Sequence, residues 1–125
     1  MQTPFNEVLT VIEAYFDMLY ESDATKIPEL FHEKALYATA AEGSLYHLTM
    51  DHYVKVVAAR QSPKSRGEAR RDEVEEIAFA GPVTATARLR CAIGRKHFTD
   101  CLAFVKLDGR WWIMSKVFHY DVLPE

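Results

Sequence analysis

The sequence offers little for cross-linking or for crossing a membrane. It has two cysteines, too few for the disulfide framework of a small secreted domain. No apolar run approaches the roughly 20 residues that a membrane-spanning helix needs. The N-terminus lacks the basic start and apolar stretch of a signal peptide. We therefore expect a cytoplasmic protein that does not associate with a membrane.

An excess of one charge is also absent. Fifteen Lys and Arg residues stand against 18 Asp and Glu residues, for a formal charge of −3. The basic segment 60–71 is followed at once by the acidic segment 72–76. Such mixed runs are typical of a solvated surface, so we expect no nucleic-acid partner.

Metal and cofactor motifs are missing as well. The five histidines show no His-x-His or His-Glu-x-x-His spacing, and both cysteines are isolated. There is no glycine-rich phosphate loop and no Gly-x-Ser-x-Gly motif. We therefore expect neither a metal nor a cofactor.

The spacing of apolar residues and the cap residues predict three helices. Apolar residues recur at helical spacing from Phe5 to Leu19, after a Thr3-Pro4 pair that suits a helix start. A short second helix is predicted after Ser22-Asp23, and Thr49 caps a third that runs to about residue 60.

Strands fill the rest of the chain. Short strands are predicted at 36–40 and 44–48, and four antiparallel strands at 70–80, 83–93, 96–107 and 110–123. This order of elements, in 125 residues, predicts a single α+β domain over 1–125.

Two tight turns set the register of the last three strands. Gly94-Arg95 and Asp108-Gly109 are two-residue hairpin loops, for which paired residue numbers sum to a constant. Counting from them places Leu89 and Val117 opposite Asp100, and His119 opposite Phe98. The inner face is then predicted to hold Val83, Ala85, Ala87, Leu89, Cys91, Phe98, Asp100, Leu102, Phe104, Trp111, Ile113, Ser115, Val117 and His119.

Asp100 is the sharpest candidate for chemistry, because it is the one acid on this apolar face. Burying an unpaired carboxylate costs several kcal/mol or favours its neutral form, which suits a general acid or base. His119, diagonal to it, could share a proton with it. The alternative is a structural acid that is merely hydrogen-bonded to a tyrosine, a serine or His119.

The tyrosines of the helices and first strand point to a cavity with polar groups. Tyr15, Tyr37 and Tyr53 are expected at the rim of the core, where a ring packs and its hydroxyl meets solvent or ligand. The predicted ligand-binding residues are Tyr15, Phe31, Tyr37, Tyr53, Phe98, Asp100, Phe104, Trp111, Ser115 and His119.

The opposite face of the last strands is too apolar to meet only water. It is predicted to carry Trp112, Met114, Phe118 and Tyr120, and such a patch usually marks a protein interface. We expect a homodimer through this convex face. Cys91 and Cys101 fall on opposite faces, which disfavours a disulfide between them.

Two blocks of sequence carry a family resemblance. The first runs from Tyr15 through Leu19-Tyr20-Glu21-Ser22-Asp23 and Leu30-Phe31-His32 to Tyr53, and the second is the segment from Phe98 to His119, with Gly109 followed by Arg-Trp-Trp. Together they resemble the nuclear transport factor 2-like superfamily, and within it the SnoaL-type and putative lumazine-binding proteins. The resemblance implies a cone-shaped, strongly bent antiparallel sheet wrapped around the N-terminal helices, as in the cystatin-like fold, with a pocket inside and a dimer through the convex face.

The resemblance also assigns roles by position. Tyr15 matches the oxyanion-binding tyrosine of the ketosteroid isomerases, and Asp100 looks like their second oxyanion donor. Their proton-shuttling base falls on Thr39, which cannot take up an α-proton at neutral pH, so steroid-isomerase chemistry is not expected.

Three functions remain open on the sequence. The first is a small-molecule-binding domain with an internal, mostly apolar pocket. The second is an isomerase, dehydratase or cyclase-like enzyme with Asp100 as acid/base, assisted by His119 and Tyr15. The third is a structural dimerisation domain with a vestigial pocket.

Overall fold

Three helices pack on one side of a six-stranded sheet in the computed structural model, which describes residues 2–124. The helices are α1 (Pro4–Glu21), α2 (Ile27–Leu30) and α3 (Met50–Ala59), and single 3-10 turns lie at Ala24–Lys26 and Lys64–Arg66. The strands are β1 (Phe31–Thr39), β2 (Tyr46–Leu48), β3 (Glu73–Phe79), β4 (Thr84–Ile93), β5 (Lys96–Leu107) and β6 (Arg110–Val122).

The two long helices begin at the predicted threonine caps. Thr3 Oγ1 accepts a hydrogen bond from the backbone N–H of Asn6, and Pro4 occupies the first turn, where its missing N–H costs nothing. Thr49 Oγ1 caps α3 in the same way. The apolar faces of both helices lie against the sheet, with Val8, Ile12, Tyr15, Phe16, Met18, Leu19, Met50, Tyr53 and Val57 buried.

The sheet has the order β2-β1-β6-β5-β4-β3. The predicted α+β class is confirmed, with one difference of detail. Strand β1 pairs with β6 in parallel, so the sheet is mixed rather than wholly antiparallel. Strand β1 also begins at Phe31, five residues before the predicted start, because α2 is only one turn long.

The predicted hairpins are confirmed, since Ile93 pairs with Lys96 and Leu107 pairs with Arg110. The register of β3, which the sequence left open, follows from a three-residue loop at 81–83, closed by a bond between Ala80 N–H and the Thr84 carbonyl. This loop turns Ile77 and Phe79 toward the inner face, opposite Ala87 and Ala85, and leaves Val83, which was predicted to point inward, exposed in the loop.

A β-bulge in β6 overturns the predicted register of its second half. Phe104 pairs with Ile113, but Ala103 pairs with Ser115, so Met114 is an extra residue on β6. An extra residue moves every later side chain to the opposite face, because strand side chains alternate with a period of two.

The predicted placement of Val117 opposite Asp100 and of His119 opposite Phe98 is therefore wrong. Phe118 lies opposite Asp100, and Tyr120 lies opposite Phe98. As a consequence Lys116, Phe118 and Tyr120 belong to the inner face, and Ser115, Val117 and His119 belong to the outer face.

None of the helices within residues 2–124 is long and apolar enough to cross a membrane.

Candidate functional site

A chamber of about 230 Å³ opens between the helices and the inner face of the sheet. It is lined by Leu19, Tyr37, Thr39, Tyr46, Val56, Arg60, Cys91, Ile93, Lys96, Phe98, Asp100, Lys116, Phe118 and Tyr120. Tyr37, Phe98 and Asp100 were predicted to be ligand-binding residues, and the structure brings these three together at the chamber. Most of the lining is apolar or aromatic, and two charged side chains, Asp100 and Lys116, are buried within it.

Asp100 is fully buried on β5, and only one of its two carboxylate oxygens has hydrogen-bond partners within residues 2–124. Its Oδ2 accepts a 2.6 Å hydrogen bond from the Tyr15 hydroxyl, and the Cys91 thiol lies 4.0 Å from the same oxygen. Its Oδ1 has no hydrogen-bond partner among the residues that the structure describes. A buried acceptor without a donor is costly, so the free oxygen calls for a hydrogen-bond donor in the chamber.

The two neighbours of Asp100 keep their protons at neutral pH. Burial, together with the Asp100 charge, raises the pKa of Tyr15 well above its ordinary value. Burial and the same charge raise the pKa of Cys91 to about 12. Both groups therefore act toward Asp100 as hydrogen-bond donors, and neither is a nucleophile under physiological conditions.

Lys116, on β6, is the second buried charge, with 4% of its surface exposed. Its Nζ lies 5.0–5.4 Å from the ring centroids of Tyr15, Tyr37, Tyr53 and Phe118, distances at which an ammonium is attracted to an aromatic face. It donates one hydrogen bond, of 3.4 Å, to the Tyr53 hydroxyl. Since an ammonium has three N–H donors, two of them have no partner among the residues that the structure describes.

The charge of Lys116 is maintained by its surroundings. Burial acts to lower the pKa of Lys116, but the Tyr53 oxygen and the Asp100 carboxylate act in the opposite direction and outweigh it, so its pKa is raised. Lys116 is therefore an ammonium group at neutral pH.

Arg60 brings a further positive charge to the chamber from the C-terminal end of α3. Its backbone N–H bonds the Val57 carbonyl and ends the helix. Its Nε and Nη2 are buried and have no partner within residues 2–124. Like Asp100 Oδ1, these two nitrogens are desolvated without a partner in the described part of the chain, which is energetically costly.

Thr39 is no base in this chamber, as the sequence indicated. Its hydroxyl donates a 2.6 Å hydrogen bond to the Phe118 carbonyl and accepts one from the Ala41 N–H. Tyr15 and Tyr53, both predicted to bind ligand, do not line the chamber but lie behind its wall. There the Tyr15 hydroxyl donates a hydrogen bond to Asp100, and the Tyr53 hydroxyl accepts one from Lys116.

Other predicted site residues lie elsewhere, which corrects the sequence analysis. His119 is exposed on the outer face, with Nε2 3.0 Å from Asp121 Oδ1. Ser115 lines a shallow depression on that face beside Val117. Both corrections follow from the Met114 bulge, which the turn-based count did not include.

Phe104 and Trp111 are buried in the core toward the far end of the sheet, where Trp111 packs against Phe79 at 5.9 Å and donates to Glu7. Phe31 lines a second cavity instead.

That second cavity, of about 430 Å³, lies against α2, α3 and the beginning of β1. It is lined by Ile27, Pro28, Phe31, His32, Glu33, Met50, Asp51, Val54 and Trp112. Although it is larger, its acids Glu33 and Asp51 are exposed and solvated. Buried, unsatisfied polar groups lie at the smaller chamber, so we assign the candidate site there.

Two important residues, Lys116 and Arg60, were not predicted. In the sequence of β6 the large apolar residues of the inner face stand at odd positions first, Trp111 and Ile113, and at even positions later, Phe118 and Tyr120. That change is the sequence signal of a bulge and would have placed Lys116 inside. The end of a helix carries no comparable signal for Arg60.

Comparison with solved structures supports the fold. A nuclear transport factor 2-like protein of unknown function from Shewanella baltica OS155 superposes with a TM-score of 0.84 at 20% identity and covers 100% of both chains. One from Methylobacillus flagellatus KT has a TM-score of 0.79 at 21% identity, covering 94% of this chain and 92% of that chain. A cystatin-like fold protein from Burkholderia xenovorans LB400 has a TM-score of 0.72 at 13% identity, covering 95% and 92%.

The helices, the sheet order and these superpositions show that the chain has the nuclear transport factor 2-like fold. The chain belongs to the family described as putative lumazine-binding, whose sequence profile matches residues 3–119. No curated protein matches the chain.

Proposed function

We propose that the chain binds a small planar molecule in the chamber that contains Asp100 and Lys116. The observation that carries this proposal is a pair of groups on one aromatic-lined wall that lack partners within residues 2–124. Asp100 Oδ1 has no hydrogen-bond donor, and only one of the three N–H groups of Lys116 is bonded. A ligand with an N–H or O–H beside a carbonyl would satisfy both. The same ligand would stack on Phe98, Phe118 or Tyr37.

Lumazine, the molecule in the family's description, has the required chemistry. Its pyrimidinedione ring presents an N–H donor between two carbonyl acceptors. The N–H would donate to Asp100 Oδ1, and a neighbouring carbonyl would accept from Lys116. The chamber is smaller than the roughly 300–1,000 Å³ of a drug-sized pocket, so it suits one or two fused rings rather than a large ligand.

Two observations favour binding over the other two hypotheses. The enzyme hypothesis required His119 within reach of Asp100, and His119 lies on the outer face. A vestigial pocket would be filled by Phe16, Phe31, Phe98 and Phe104, whereas Phe98 lines open space.

The test is a titration of the purified protein with lumazine, followed by ligand fluorescence. We expect saturable binding to the wild-type protein. Asp100→Asn and Lys116→Met should each weaken it at least tenfold, or about 1.4 kcal/mol, because each removes one of the two polar contacts. Asp51→Asn, an exposed change of the same kind, is the control. Absence of saturable binding, or equal affinity in all four proteins, would contradict the proposal.

We also propose that the protein dimerises through the outer face of the sheet, with a patch revised by the bulge. Phe118 and Tyr120 leave the predicted patch because they point inward; Trp112 and Met114 remain, and the exposed Val117 joins them. Light scattering should give a dimer for the wild-type protein and a monomer for Val117→Lys. Leu45→Lys, an equally drastic change in the β1–β2 loop, should stay dimeric. A monomeric wild-type protein would exclude this interface.

A further inference from the structure

Next to the chamber lies a third, more open cavity of about 380 Å³, which we call the vestibule. It is lined by Arg60, Gln61, Arg66, Ile93, Gly94, Arg95, Lys96, Phe98 and Val122. Four of these residues, Arg60, Ile93, Lys96 and Phe98, line the chamber as well. The two cavities are therefore adjacent, and a side chain of a ligand that leaves the chamber past these four residues would enter the vestibule.

The vestibule is strongly basic, although the chain as a whole carries a formal charge of −3. Arg60, Arg66, Arg95 and Lys96 line it, and none of its described lining residues is acidic. Glu68 lies behind the wall, where it pairs with Arg66 at 2.8 Å and accepts from the Gly94 N–H. That pair neutralises one of the four cations. The other three have no acidic partner within residues 2–124 and create a positive potential at the opening of the chamber.

Among the basic residues of the vestibule, Arg60 has the hydrogen-bond donors best placed to bind an anion. Its Nε and Nη2, which have no partner in residues 2–124, are the two nitrogens on one edge of the guanidinium. Parallel donors on that edge match two oxygens of a phosphate or carboxylate, which is the strongest geometry available to arginine. Both nitrogens are already desolvated, so an anion there would relieve a penalty as well as form two bonds.

We infer that the vestibule binds a phosphate group carried by the ligand whose ring occupies the chamber. Arg60 donates hydrogen bonds to two phosphate oxygens, and Lys96 and Arg95 neutralise the remaining negative charge. A dianionic phosphate matches the charge of these three cations better than a single carboxylate does. The ligand class is thus a planar heterocycle with a phosphorylated side chain, and this inference rests on the proposed function of the chamber.

The first experiment uses inorganic phosphate alone, at constant ionic strength against chloride, and follows the NMR signals of the Arg60 Nε–H and of the Gly94 and Lys96 amides. We expect saturable shifts. Arg60→Gln should raise the phosphate dissociation constant at least tenfold, and Lys96→Gln at least threefold. Lys34→Gln, an exposed change on β1, should leave it unchanged. Lys96→Gln keeps the test decisive if Arg60→Gln should fail to fold.

The second experiment asks whether the phosphate belongs to the ligand. Uridine and uridine 5′-monophosphate share the pyrimidinedione edge of lumazine and differ only by the phosphate. The monophosphate should bind at least tenfold more tightly, and Arg60→Gln should abolish that advantage. Equal affinity of the two compounds for the wild-type protein would overturn the inference, whether or not free phosphate binds.

The two proposals fail in different ways. Lumazine binding without any effect of phosphate would remove the vestibule site and leave the chamber proposal standing. Arg60-dependent phosphate binding by a protein that binds neither lumazine nor uridine would refute the chamber proposal, and with it the assignment of the phosphate to a ring-bearing ligand.

Discussion

Asp100 and Lys116 are buried in the same chamber on adjacent strands, yet no hydrogen bond or ion pair between them is found within residues 2–124. Asp100 lies opposite Phe118 and Lys116 lies opposite Leu102, so the two are diagonal neighbours. Diagonal residues in an antiparallel pair are separated by roughly 7–8 Å. The charges are close enough to stabilise each other and far enough apart to share a ligand.

That relationship predicts energetic coupling between the two residues. Lys116→Met leaves the Asp100 carboxylate without its cation, and Asp100→Asn leaves the ammonium without its counter-charge. We expect each change to lower the free energy of unfolding by about 1–3 kcal/mol. The double variant should be more stable than the sum of the two losses predicts, by about 1–2 kcal/mol, because it leaves no lone charge.

Urea denaturation of the four proteins at pH 7 measures this coupling. Asp100→Asn should still fold, since the asparagine carbonyl can accept the hydrogen bond from Tyr15. Strictly additive losses would show that the two charges act independently.

A second prediction concerns alkaline pH. Burial raises the pKa of Tyr37 to about 12, above its ordinary value of 10.0. The folded protein therefore keeps this proton at a pH where the unfolded chain has lost it. Tyr37 thus contributes stability that is fully present below pH 10 and is lost as the pH rises toward 12.

The size of this effect at pH 11 is about 1.4 kcal/mol, the free energy of one pKa unit. Denaturation at pH 8 and pH 11 should show a smaller decrease in stability for Tyr37→Phe than for the wild-type protein, by about that amount. Tyr15, Cys91 and Lys116 also have raised pKa values and act in the same direction, so some decrease should persist in the variant. Identical decreases would contradict the prediction.

The bulge at Met114 predicts opposite behaviour for two adjacent residues of β6. His119 is exposed on the outer face, so His119→Ala should change the free energy of unfolding by less than about 0.5 kcal/mol and leave lumazine binding unaltered. Phe118 is buried on the chamber wall, so Phe118→Ala should cost about 3 kcal/mol and weaken binding. Loss of lumazine binding in a folded His119→Ala protein would mean that the register of β6 is wrong.

The two cysteines should differ sharply in reactivity. Cys101 is exposed, whereas Cys91 is buried beside Asp100 with a pKa raised to about 12. The thiolate is the form of cysteine that reacts, and at pH 8 almost none of Cys91 is present as thiolate. Cys101 pairs with Val117 on the outer face, where the proposed dimer would cover it, so the labelling uses the monomeric Val117→Lys variant. Iodoacetamide should add one group to this folded protein and none once Cys101 is also changed to serine, as read by mass spectrometry, and urea should expose Cys91. Equal labelling of both cysteines in the folded protein would count against the buried position of Cys91.

The sequence by itself was sufficient for everything that depends on local chemistry. The threonine caps and Pro4 located α1 and α3, and the Gly94-Arg95 turn set the pairing of β4 with β5. These features are determined by backbone conformation over a few residues, so nearby residues are enough to identify them. Asp100 was placed on the inner face on this basis, and that placement is confirmed.

The composition of the site was decided by tertiary structure. The Met114 bulge moved Lys116 into the chamber and His119 out of it, because one extra residue reverses the facing of all that follow. The parallel pairing of β1 with β6 then placed Tyr37 beside Lys116, and the end of α3 brought Arg60 to the same place. These contacts join residues far apart in the chain, and the free energy that selects them comes from packing the whole sheet against the helices, which no local pattern records.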